Sequence, residues 1–322
     1  SYDDALREVR ALRTRPGNGA AEAGFLEGRI RFASGDIEGA VNTLRPLLDT
    51  VTVEDFEDAP ITVSSDVNAA ANVFSYIGDI PTADRALALS NELHASRMGM
   101  EEEALNQFAR ASRAMLYGPS GGSPAMLEDI WTEAAESARS APAPERTGIA
   151  RSGAAAALWL FLGPPHDGTA LRELAALTGD PPPREVRALI ALKQEEDTAQ
   201  ARRILEEPQE KDEAKVAYNP GMGDRRPLLA EVLVLLGDYQ GAIDILADFQ
   251  PEALETRGYD ARWGQLGRVR LLRAHALEKV GRPDDAASEY RALLDQLADP
   301  HPEVRTYVEQ ARIGLARLEG AG

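Results

Sequence analysis

LLRAHALEKVGRPDDAASEYRALL, residues 271–294, contains a single glycine, Gly281, and three small or large residues at fixed distances from it. Seven residues before the glycine stands Ala274, five after it Ala286, and nine after it Tyr290. The same columns recur, without gaps, around three other glycines. Gly35 has Gly28, Ala40 and Leu44; Gly78 has Ala71, Ala83 and Leu87; Gly237 has Ala230, Ala242 and Leu246. The residue after each glycine is Asp36, Asp79, Asp238 or Arg282. A glycine takes the left-handed conformation that closes a helix C-terminus. The small residue before it and the alanine after it let two antiparallel helices approach closely. The large residue one turn further on fills the space where the pair splays. Apolar residues at helical spacing bracket the columns, as in Leu228, Leu229, Val232, Leu233, Leu236, Ile243 and Leu246. One unit is therefore a helical hairpin, and its second apolar stripe needs a neighbouring hairpin stacked on it.

This pattern resembles the tetratricopeptide repeat family, best in 271–294 and next best in 228–249, with fair matches in the first two repeats. The glycines are 43 and 44 residues apart in the two pairs, longer than the family's ~34-residue unit. The resemblance implies an all-α fold, a right-handed α-α superhelix of about seven helical hairpins. Residues 1–99 are read as N-terminal repeats, 100–215 as degenerate hairpins, 216–300 as two well-matched units and 301–322 as a capping helix. In the degenerate stretch the hairpins expected are 101–117 with 125–139, 146–162 with 169–178, and 184–193 with 198–206. The Gly-rich GPSGGS loop, Pro164–Pro165 and Pro181–Pro183 separate the first four of these helices and introduce the last pair. At the N-terminus Tyr2 and Ala5 match Tyr239 and Ala242, and Val9 and Leu12 continue the stripe up to Pro16. Residues 2–13 thus read as the second helix of a hairpin. Pro302 at a first turn, then Val304, Tyr307, Val308, Ala311, Leu315 and Leu318 on one side, mark a lone final helix.

Composition narrows the function. The net charge is −18, with 43% hydrophobic and 27% charged residues among 322. So acidic a balance argues against nucleic acid, whose phosphates need a basic footprint, and against anionic membrane surfaces. No cysteine is present, which excludes disulfides, thiolate nucleophiles and Cys-ligated metals. No apolar run approaches the ~18 residues of a membrane span. Abundant Ala, Arg and Gly hint at a GC-rich bacterial genome. The expected location is the cytoplasm, with the periplasm or a membrane-associated complex left open by the mid-hairpin start.

A search for chemistry returns little. GPSGGS lacks the lysine of a phosphate loop. His94, His166, His275 and His301 show no metal-ligand spacing, and the acidic clusters at 54–58, 101–103 and 206–213 lie at helix starts or in loops. No catalytic residue, metal or cofactor is expected. The resemblance places partner contacts on the first helix of each hairpin, at Phe25, Arg29 and Phe32, at Asn68, Asn72 and Tyr76, and at Leu271, His275 and Lys279. Asn68 and Asn72 lie one turn apart and share a face, either as peptide-holding amides or as solvated polar residues. The expected function is a non-catalytic scaffold that binds a protein or peptide along the concave face or at the N-terminal end. Two alternatives stand beside it. One is a regulatory or sensory repeat domain of a larger kinase, protease or transcription regulator. The other is an α/α-toroid enzyme, to which Trp131, Trp159 and Trp263 spread over distant repeats lend little support.

Overall fold

The turn glycines set the architecture. In the computed structural model Gly35, Gly78, Gly237 and Gly281 have φ of +86°, +77°, +76° and +78°, a region costly for any residue with a Cβ. Each glycine N–H bonds the carbonyl three residues back, and the next N–H bonds the carbonyl five back. At the first turn these are Gly35 to Phe32 (3.0 Å) and Asp36 to Arg31 (2.9 Å); at the last, Gly281 to Glu278 (3.1 Å) and Arg282 to Leu277 (2.9 Å). This pair of bonds satisfies carbonyls that a helix end otherwise leaves open. The aspartate after the glycine then starts the second helix. Asp36, Asp79 and Asp238 accept from the backbone N–H of Gly39 (2.9 Å), Thr82 (3.2 Å) and Gly241 (3.0 Å). Arg282 makes no such cap, and Pro283 opens its helix instead.

The structure describes residues 2–12, 19–56, 62–98, 184–193, 196–206, 226–247 and 262–320, with isolated positions at 129–140, 218–219, 223–224 and 249. The expected helices between 101 and 178, the GPSGGS and PPHDG loops, and the acidic clusters at 101–103 and 207–213 lie outside these residues. Among the described residues twelve α-helices form the fold, with a two-residue antiparallel ladder, Tyr218–Asn219 against Gly223–Asp224. None of those helices is long and apolar enough to cross a membrane. The chain divides into two units, one comprising residues 1–113, 249–266 and 298–301, the other 114–248, 267–297 and 302–322.

Unit 1 holds α1 (Tyr2–Leu12), α2 (Gly19–Ala33), α3 (Ile37–Thr50), α4 (Thr62–Tyr76) and α5 (Ile80–Met98). The hairpins are α2–α3 and α4–α5; α2 also packs on α4, and α1 packs on α2 through buried Val9. The repeat columns are the packing surface: Ala40, Ala71 and Ala83 are fully buried. Leu44 lies against Gly28 so closely that a Cβ at 28 would overlap it, and Leu47 does the same to Gly24. That contact explains why the smallest residue stands where the helices cross.

Unit 2 holds α6 (Arg184–Lys193), α7 (Thr198–Glu206), α8 (Arg226–Leu235), α9 (Tyr239–Ile245), α10 (Arg262–Lys279, from Gly267 on), α11 (Pro283–Gln296) and α12 (Arg305–Gly320). The bounds of α6 and α7 coincide with those expected from sequence. Their turn departs from the other four, since Glu196 takes the left-handed conformation (φ +51°) and Asp197 caps α7 through Gln200 N–H at 2.8 Å. A 3-10 turn, Pro302–Val304, leads into α12. Ala274, Tyr290, Leu293, Leu297, Tyr307, Val308 and Ala311 form one core, flanked by half-buried Leu271, Leu294, Leu315 and Leu318. Tyr290 lies against Gly314 of α12 as Leu44 does against Gly28.

Candidate functional site

The nine partner-contact residues expected from sequence separate into two groups. In unit 1 they are mostly packing. Phe25 is fully buried against Phe56 (ring centroids 6.0 Å, tilted), and Phe32 of α2 meets Tyr76 of α4 edge-on at 5.3 Å. Arg29 pairs across the same helices with Asp66. Burial pushes the Asp66 carboxyl up, and the Arg29 charge opposes that. Asn72 is buried, with an Nδ2 that makes no hydrogen bond, while Asn68 on the same helix is half-buried. Phe25, Phe32, Tyr76 and Asn72 therefore offer no open wall to a partner. The resemblance placed them along one stripe of the first helices; there Phe25 packs on Phe56 and Phe32 on Tyr76, and these contacts occupy the space.

In unit 2 the same columns line an open groove of about 520 Å³. Its walls are α8, α10 and α12. Along α10, Arg268, Leu271, Leu272 and His275 follow at spacings of three, four and seven and so share one face. Val234 of α8 and Ile313 of α12 complete the apolar rim, and Ile313 is 66% exposed. Lys279, at the end of α10, is exposed and does not line the groove.

The floor of the groove is a locked polar network. Arg268 Nε and Nη2 both reach Glu231 Oε1 (2.7 and 2.6 Å), and Nη1 donates to the Tyr307 hydroxyl at 3.0 Å. Burial alone would weaken the hold of Arg268 on its proton; the charge of Glu231 and the Tyr307 oxygen more than offset this, leaving a permanent cation. Burial also pushes the Tyr307 phenol up, against the pull of Arg268. Nearer the end of α10, the Tyr290 hydroxyl donates to Glu278 (2.5 Å), which also accepts from Arg317 Nη2 (2.7 Å). The Tyr290 phenol is pushed up by burial and then by Glu278. His275 lies between these networks, half-buried, with the Tyr239 ring edge-on at 6.3 Å. Burial, then Lys279, lowers the affinity of His275 for a proton, and Glu278 only partly opposes them. The imidazole is consequently neutral near pH 7, able to donate at one nitrogen and accept at the other.

With Glu231 and Glu278 each engaged by an arginine, the groove offers apolar contact at its rim and hydrogen bonding from His275, Gln310 and Arg317. Sequence reasoning missed this network. Glu231 and Arg268 lie 37 residues apart on different hairpins, and only stacking brings them together. Comparison with protein-family models, with curated proteins and with solved structures finds no match to this chain.

Proposed function

We propose that the chain is a tetratricopeptide-like solenoid of about seven hairpins that acts as a non-catalytic scaffold, binding a protein or peptide in the unit 2 groove. The observation that carries this reading is the contrast within the repeat columns. Positions that are packed shut in unit 1 line an open, mixed apolar and polar trough in unit 2. An apolar rim with a few fixed polar groups below it suits an anchor side chain with its backbone amides held alongside. The test is affinity capture from native extract with residues 1–322 as bait, beside Ile313→Glu, a change at an exposed rim position that leaves the core intact. The expected result is a specific protein retained by the parent and depleted about tenfold or more by the rim charge. No retained protein, or equal retention by both baits, would contradict the groove.

A further inference from the structure

Six residues before its turn glycine, each of the four matched hairpins carries a different polar residue: Arg29, Asn72, Glu231 and His275. Two of these reach the residue 37 positions on, in the next hairpin's first helix, and they do so with opposite charge. Arg29 pairs with Asp66, and Glu231 pairs with Arg268. Both pairs are largely withdrawn from water, with side-chain exposures of 27% and 15% in the first and 17% and 16% in the second.

We infer that this column is a stacking key, whose charge polarity specifies which hairpin follows which. Similar repeats in one chain can stack in the wrong order, because their small and apolar columns are alike, and misassembly is a characteristic failure of repeat proteins. An ion pair in such a place adds little net stability, since desolvation offsets attraction. Its discrimination is larger. Stacking α2 on α10 in place of α4 would set Arg29 against Arg268, and stacking α8 on α4 would set Glu231 against Asp66. Either error buries two like charges at one junction. Asn72 in the same column extends the distinction, being uncharged and matching neither polarity.

The full chain tests this through unfolding midpoints in urea and through the fraction recovered as the native species after refolding, read by size exclusion with light scattering. Single reversals, Arg29→Glu or Asp66→Arg, should lower both. The swapped pair Arg29→Glu/Asp66→Arg restores attraction and should recover the midpoint. It also gives unit 1 the polarity of unit 2, so the native fraction should stay about two-fold or more below the parent. Adding Glu231→Arg/Arg268→Glu makes the two junctions opposite again and should raise the native fraction above that of the unit 2 swap alone. A swapped pair that refolds with the parent's yield would show an ion pair that keys nothing. A swapped pair that fails to recover the midpoint, or a fourfold variant without recovered yield, would equally overturn the inference.

Discussion

Ten residues before the turn glycine, the first hairpin carries Phe25 and the last carries Leu271, and the two side chains meet opposite fates. Phe25 is sealed against Phe56, and Phe32 of α2 meets Tyr76 of α4 edge-on. Leu271 stays half-buried on the edge of a groove of about 520 Å³, with His275 one turn along. The backbone device is the same in both: a left-handed glycine, a small residue where the helices cross, an alanine beyond. Side-chain volume on this stripe then decides whether a junction is filled core or open groove. A repeat can thus keep its hairpin while its inner stripe is either sealed or left open.

The contrast is sharpest in that one column. Phe25→Ala should cost unit 1 about 3–5 kcal/mol, because a fully buried ring leaves a cavity. Leu271→Ala should cost only about 1 kcal/mol, since much of that side chain already meets solvent. Equal losses in urea denaturation would erase the difference between a filled and an open junction. The ion pairs give the next comparison. Arg268→Ala strands half-buried Glu231 and removes the donor to Tyr307, at a cost of about 3 kcal/mol. Arg29→Ala, at a more exposed pair, should cost about 1–2 kcal/mol. A reversed order would mean that the groove floor is not the tighter network.

Smaller effects separate the turns. Glu196 holds a left-handed φ without being glycine, so Glu196→Gly should stabilise unit 2 by about 1 kcal/mol. Gly281→Ala imposes the same strain in reverse and should destabilise by a similar amount. The smallest effect belongs to His275. Its affinity for a proton is lower folded than unfolded, so it contributes nothing well above pH 6.5 and destabilises as pH falls below that value. His275→Gln should flatten this part of the stability-against-pH curve; an unchanged slope would place the imidazole in an environment more open than the groove.

Much of the hairpin framework could be read from residues alone. All four aligned glycines adopt the left-handed turn, the crossing alanines are fully buried, and 184–193 and 198–206 are helices where their apolar spacing placed them. The final helix lies within two residues of its expected end and buries Tyr307, Val308 and Ala311 as its pattern requires. These features depend on contacts within a hairpin or between sequence neighbours, which periodicity encodes. The site was less legible for the opposite reason. Whether Phe25 and Asn72 face a groove or a neighbour depends on how far the next hairpin's side chains reach, and a single stripe does not carry that information. Leu271 and His275 line the unit 2 groove, but the partnership of Glu231 with Arg268 and Tyr307 crosses two junctions. Its one trace in the sequence was a pair of oppositely charged residues, Arg29 and Glu231, in the same column of two hairpins.

Hydrogen–deuterium exchange on the chain, with and without any protein that affinity capture returns, tests the proposed binding groove most directly. A partner seated in unit 2 should slow exchange in peptides spanning 271–279 and 307–317, and leave those spanning 25–32 and 68–76 unchanged. Protection confined to the unit 1 segments, with both groove segments unaltered, would contradict the assignment of unit 2 as the binding surface.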